Sequence, residues 1–159
     1  MGPLSMKSKE WTAEQDFLAL TERPGKLNES DVEAVYNRLR PVLPEELIGE
    51  WRGGSFDTGH PTHASLENIV WLGKTFHSTE EVDPVMVQKE GKRVLNDQAG
   101  HAVLRRVEFR GVLSTAMIYD NHPIIDHFRR VSPDMIAGAM ENKLQDVKVH
   151  GTYYFYLYK

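Results

Sequence analysis

Three side chains stand where proton-transfer chemistry could be done. His60 falls between Gly59 and Pro61, which hold it in a stiff turn, and an imidazole titrating at about 6.5 can take or give a proton at neutral pH. Lys74 follows Trp71-Leu72-Gly73 and precedes Phe76, so its ammonium emerges among aromatic rings that can lower its pKa or simply pack against its stem. Asp126 lies in Pro123-Ile124-Ile125-Asp126-His127-Phe128 and shares a strand face with Ile124 and Phe128, where a carboxylate needs a partner. Arg110 or Arg129 can supply it, with Asp120 a further acidic candidate for structural ion pairing. Alternatively, the apolar setting raises the Asp126 pKa and makes it a general base. His60, Lys74 and Asp126 are therefore the candidates for acid, base or electrostatic helper in a catalytic site, with the roles open among them. The plainer roles are a turn histidine bonded to backbone, a snorkelling lysine and an ion-paired aspartate.

What is missing narrows the chemistry. With no cysteine there is no disulfide framework, thiolate metal site or thiol nucleophile. The seven histidines include no His-x-x-x-His pair on a clearly helical face, and His60-Pro61-Thr62-His63 reads as a turn, so no metal site is expected. No phosphate-cradling glycine loop, Gly-x-Ser-x-Gly elbow or dinucleotide fingerprint occurs, and no cofactor is implied. A net charge of -4, from 19 basic and 23 acidic side chains, argues against nucleic acid as a partner. The lack of a long apolar run or a signal-like start predicts a cytoplasmic protein that does not insert into membranes.

The elements that must position these groups are short. At 159 residues the chain suits a single domain over 6–159, with Met1-Gly2-Pro3-Leu4-Ser5 reading as a cloning scar. Thr12 and Gln15 have capping-box spacing, with Trp11 as a staple residue, and predict a helix over about 12–22. Ser30 with Glu33 opens a second helix carrying Val32, Val35, Tyr36 and Leu39, closed by Pro41 and Pro44. Leu47 to Phe56 reads as a strand bent by three glycines. Leu66, Ile69, Val70 and Gly73 then suggest a third helix capped by Thr62 or Ser65, and Ser78 with Glu81 a further helical turn before Pro84.

After Val85 the text is strand and turn, with strands expected near 85–89, 92–96, 102–110, 111–119, 123–131, 135–141 and 152–158. Such a run predicts an antiparallel meander closed, or nearly closed, into a barrel, because closure removes exposed edges. The fold class is thus mainly β with short N-terminal helices. Alternation places Val103, Val107 and Phe109 on one face of their strand, and Leu113, Thr115, Met117 and Tyr119 together on the next. With Trp51, Trp71, Phe76 and Phe128, the residues Phe109, Met117 and Tyr119 are expected to line a pocket for a small apolar molecule. Trp51 has a second role open to it, as a plug of the barrel. Tyr153, Tyr154, Phe155, Tyr156 and Tyr158 crowd one strand with rings on both faces, so one face can line a pocket while the other meets a helix or a second copy in a homodimer.

Gly49-Glu50-Trp51-Arg52-Gly53, followed by Gly54-Ser55-Phe56-Asp57-Thr58-Gly59-His60-Pro61, resembles the signature of the GXWXG protein family. The stretches Val107 to Val112, Met117 to Asp120, Pro123 to Arg129 and Gly138 to Lys143 resemble the domain of unknown function that follows that module. The resemblance divides the domain into a module with helices at about 30–80 and a meander at 85–159 completing the same barrel. A Gly-x-Trp strand opening a barrel is also similar to the lipocalins, a likeness at the level of fold. The family name records a motif and not an activity, so the expected function, a carrier or sequestering protein for a small hydrophobic metabolite, rests on the barrel architecture. The alternatives are a cofactor-independent isomerase, cyclase or hydrolase acting on a lipophilic natural product, and a structural module.

Overall fold

The computed structural model describes residues 10–159, so the reading of residues 1–5 lies outside it. Nine strands alternate with short helices: β1 (Gly49–Ser55), β2 (Trp71–Phe76), β3 (Val82–Lys89), β4 (Lys92–Leu95), β5 (Ala102–Phe109), β6 (Val112–Tyr119), β7 (Ile124–Ser132), β8 (Met135–Asn142) and β9 (Tyr153–Tyr158). Their order is β2-β1-β9-β8-β7-β6-β5-β3-β4, all neighbours are antiparallel, and β2 also pairs with β3. Eight strands therefore close into a barrel, while β4 hangs from β3 outside the closure. The thinnest seam joins β3 to β5 through the single ladder pair Val82 and Ala102.

Period-two alternation divides β7, β8 and β9 between two cores. Trp51, Phe76, Leu104, Met117, Phe128, Ile136, Phe155 and Leu157 fill the interior. The outer face of β7, β8 and β9 is roofed by α1 (Ala13–Thr21) and α2 (Glu29–Tyr36), with Phe17, Val32 and Tyr36 packed on Val131, Ala137, Ala139 and Tyr154. The aromatic run of β9 thus serves both cores. Tyr153, Phe155 and Leu157 point inward, whereas Tyr154 and Tyr156 meet Tyr36 and Phe17, with ring centroids 5.6 and 6.5 Å apart. Because β9 is paired on both sides, it offers no free edge to a second copy.

Local sequence signals succeed at the first helix and misplace the next ones. Thr12 and Gln15 form the expected capping box, although Trp11 is 60% exposed and staples nothing into the core. The second helix starts earlier than Ser30: Asn28 is its N-cap, without a side-chain bond, and the Glu29 carboxylate instead accepts from the Thr152 N–H at 2.8 Å. Pro44 does not merely close a helix but opens a helical turn, α3 (Pro44–Leu47). The third expected helix is α4 (Pro61–Asn68), capped by His60 and not by Thr62 or Ser65. It stops before Ile69, and Trp71 to Phe76 is strand, since pairing with both β1 and β3 outweighs the apparent helical period. Ser78 and Glu81 form the turn between β2 and β3, with the Ser78 hydroxyl accepting from the Glu80 and Glu81 N–H groups. A last helical turn, α5 (Gln145–Lys148), interrupts the region read as strand and turn only.

Gly73 shows what closure demands of the backbone. Its φ of +144° lies where side chains are rarely tolerated, and an added Cβ would collide with the Trp51 carbonyl oxygen of the neighbouring strand. Register shifts on either side of Gly73 mark the same distortion. Gly73→Ala is expected to cost at least roughly 1–3 kcal/mol from the backbone conformation alone, read as a lower denaturation midpoint in urea.

Candidate functional site

β2 turns Lys74 inward and β7 does the same for Asp126, so two residues 52 positions apart in sequence meet inside the barrel. Lys74 Nζ lies 3.1 Å from Asp126 Oδ2, with both side chains 3% exposed. The ammonium also donates to the Pro84 carbonyl at 2.9 Å. Rings of Phe155, Trp71 and Tyr119 surround it with centroids at 5.2, 5.7 and 5.8 Å, close enough for their negative faces to offset part of the lost hydration. Burial pushes the Lys74 ammonium below its ordinary range while the Asp126 charge opposes the shift. Burial likewise pushes the Asp126 carboxyl upward, with Lys74 pulling it back. Desolvation thus favours the neutral form of each, and their mutual attraction favours the charged pair.

The pair faces a cavity of about 40 Å³, walled by Trp71, Tyr119, Met140, Tyr153 and Phe155 and covered by Thr62 and Leu66 of α4. Such a volume holds a group of a few heavy atoms. Two polar atoms of its lining residues, Asp126 Oδ1 and Trp71 Nε1, are buried with no hydrogen-bond partner among the described residues. Met140 also lines an open groove of about 510 Å³ at the same end of the barrel, with Ile118, Pro123, Ile124, Ile125 and the basic Lys143 and Lys148.

The other expected site residues lie elsewhere. Trp51, Phe76, Met117 and Phe128 are buried in the interior core and do not reach this cavity. Trp51 donates from Nε1 to the Leu47 carbonyl at 2.7 Å and carries Lys159 Nζ 4.4 Å from its ring centroid. Phe109 faces outward, stacked on His127 at 3.8 Å, because Ala102 and Leu104 occupy the inward positions of β5. His60 caps α4, its Nδ1 accepting from the Thr62 N–H at 3.1 Å, and its ring packs 5.5 Å from Tyr153. It stands beside the mouth and not with Lys74 and Asp126.

The arginines do not partner Asp126. Arg129 is 1% exposed yet meets no carboxylate among the described residues: it donates to the carbonyls of Leu39 at 3.1 Å and Phe109 at 3.2 Å and lies 5.0 Å from the Tyr36 ring. Arg110 bonds Asn37 Oδ1 and the Tyr154 hydroxyl, with Glu33 3.8 Å away as its ion-pair partner. Asp120 is exposed and takes part in no ion pair among the described residues. The expectation that Arg110 or Arg129 neutralises Asp126 is thus corrected to Lys74, because alternation sends Arg129 to the helix-covered outer face.

A second polar chain was not anticipated from sequence. Ser55, at the end of β1, lies 2.7 Å from His63 Nδ1, and His63 Nε2 lies 2.8 Å from Glu67 Oε1. The Ser55 hydroxyl also contacts the Tyr153 hydroxyl. His63 and Glu67 are four apart on α4, a spacing legible once 61–68 is read as helix, whereas the Ser55 contact with Tyr153 arises only when β1 pairs with β9.

Two outcomes follow from this geometry. Lys74→Met strands the Asp126 carboxylate and should cost about 3–5 kcal/mol in urea unfolding, while Lys74→Met with Asp126→Leu recovers most of the loss. Burial, then the neighbouring His150, holds the His60 pKa below its ordinary value. The unfolded chain then binds the proton more tightly, so stability falls as pH drops below about 6.5 toward the depressed folded value. His60→Asn keeps an oxygen to cap α4 without that titration, and its Tm should fall less than that of the parent between about pH 7 and about pH 5.

Residues 34–91 match the GXWXG protein family, and residues 100–159 match the domain of unknown function DUF4334. The crystal structure of a protein from Thermomonospora curvata is 39% identical, covering 92% of this chain and 97% of its own, with a TM-score of 0.84. No curated protein matches. The two family segments share one barrel, since β1 to β3 fall in the first and β5 to β9 in the second. This chain belongs to the GXWXG family, in the form where a DUF4334 domain follows.

Proposed function

We propose that this barrel binds a small molecule with an apolar body and one hydrogen-bonding head, as a carrier or sequestering protein. The observation that carries this reading is the pair of unpartnered buried atoms, Asp126 Oδ1 and Trp71 Nε1, on residues that line one cavity. No group among the described residues bonds either atom, and a bound head offering both a donor and an acceptor would satisfy the two together. At about 40 Å³ the cavity takes only the head. The body belongs in the adjoining groove of about 510 Å³, whose apolar wall of Ile118, Pro123, Ile124 and Ile125 suits it. Met140 lines both spaces, and an unbranched thioether side chain can swing aside to join them.

Acid–base catalysis on a bound molecule is the second reading. It is favoured by the 3.1 Å approach of Lys74 to Asp126, two titratable groups at the same cavity whose pKa values burial drives toward one another.

A titration with the fluorescent dye 5-(dimethylamino)naphthalene-1-sulfonamide, apolar rings bearing one neutral head that both donates and accepts, tests the binding reading. Saturable, one-to-one enhancement of the dye's emission is expected, together with at least about a tenfold weaker Kd in Met140→Trp, about 1.4 kcal/mol. Dye emission that never saturates, or that Met140→Trp leaves unchanged, would falsify the reading.

A further inference from the structure

The binding reading makes no use of Ser55, His63 and Glu67, yet these three are arranged as a nucleophile, a base and an orienting carboxylate. β1 presents Ser55 at the mouth end of the strand, and α4 presents His63 and Glu67 one turn apart above it. The Glu67 carboxylate can only accept, so at 2.8 Å it fixes the proton of neutral His63 on Nε2. Nδ1 is left as an acceptor 2.7 Å from Ser55 Oγ, positioned to take the hydroxyl proton. With the Ser55 O–H committed to His63, the contact with Tyr153 must be a bond donated by the phenol to Oγ. Burial holds the Tyr153 phenol above its usual range, so it remains a donor. Tyr153 also walls the cavity, as does Thr62 beside His63, placing the serine one side chain from the space where a ligand head would sit.

We propose that Ser55 is the nucleophile of an acyl-transfer site that acts on carboxylic esters of small apolar acids, with His63 as its general base and the Tyr153 hydroxyl as the donor to the developing oxyanion. Ser55 Oγ bonds to the ester carbonyl carbon as its proton passes to His63 Nδ1. The tetrahedral intermediate then collapses with cleavage of the bond to the alcohol oxygen, which takes that proton from His63 and leaves as the alcohol. Water, deprotonated by His63, attacks the acyl-serine; its C–O bond breaks, the proton returns to Ser55 Oγ and a carboxylic acid is released. Glu67 acts through His63 and is a positioning residue.

The proposal rests on the binding reading only for where the acyl group lies, and its test is independent of the groove and of the buried ion pair. Intact protein is treated with diisopropyl fluorophosphate, whose phosphorus accepts the serine oxygen while fluoride departs. The expected result is one adduct per chain, mapped to Ser55 by peptide mass spectrometry and absent in Ser55→Ala. His63→Ala should slow labelling about 10²-fold or more, the usual contribution of a general base. Glu67 is 67% exposed, so Glu67→Gln should leave Tm unchanged while slowing labelling roughly tenfold, which a bond that merely staples α4 to the barrel would not do. An unlabelled protein, an adduct on another hydroxyl such as Tyr158, or a Ser55 adduct forming at the parent rate in both His63→Ala and Glu67→Gln would overturn the assignment. Labelling at Ser55 without saturable dye binding leaves the serine site standing and removes the groove; the reverse result removes the serine site alone.

Discussion

The pairing of β1 with β9 is the constraint on which the interior depends. Arg52 to Ser55 lie against Phe155 to Tyr158, joining the first and last strands of the barrel across separations of 100 or more positions. Without that ladder the sheet would have two open edges and no enclosed face. With it, Phe155 comes beneath the Lys74 ammonium, and Tyr153 comes within reach of Ser55. Because the two family segments supply opposite sides of this ladder, neither contains a complete barrel. Contacts so distant in sequence are slow to form, since loop-closure entropy opposes them until the sheet is nearly complete.

Closure leaves two ends that differ in chemistry. At one, Trp51 is fully buried with Leu47, Phe76 and Leu157, and its indole N–H is satisfied by the Leu47 carbonyl. The indole is thus buried and polar-satisfied, as a structural plug should be. At the other, α4 lies over Lys74, Asp126, Tyr119 and Tyr153, and Asp126 Oδ1 and Trp71 Nε1 have no partner among the described residues. The concentration of charge, phenols and unsatisfied atoms at one end is the physical reason for placing function there. A barrel selected for stability alone would fill those positions with apolar side chains, because a buried ion pair seldom outperforms a well-packed hydrophobic replacement.

The outer face follows a different logic. Arg129 is as buried as the interior pair but needs no carboxylate, since it lies beyond the last turn of α2 and donates to backbone carbonyls there. A cation in that position also complements the helix dipole. The Tyr36 hydroxyl donates to the His127 carbonyl at 2.8 Å, so the same few residues bind the helices to β7. Two buried cations in one small protein are thus stabilised in different ways: Lys74 by a carboxylate and aromatic rings, Arg129 by backbone oxygens and one ring.

Much of the architecture was legible in the residues themselves, because local patterns report local structure. The Thr12 and Gln15 capping box, the succession of strands beyond Val85 and the GXWXG motif each depend on neighbours a few positions apart. The expected third helix, read through Gly73, ends at Asn68 because Leu66, Ile69 and Val70 imitate a helical period only up to the point where pairing with two strands takes over. Lys74 and Asp126 could be singled out as groups needing partners, yet sequence could not show that they partner each other, since facing is settled only when the strands take register. Phe109 illustrates the same limit: shifting one position along β5 exchanges the interior for the outer face. The sequence by itself determined which elements form and which side chains are chemically costly to bury. Only the tertiary structure decided which of them share a space, because closure of the barrel brings together residues that no spacing along the chain relates.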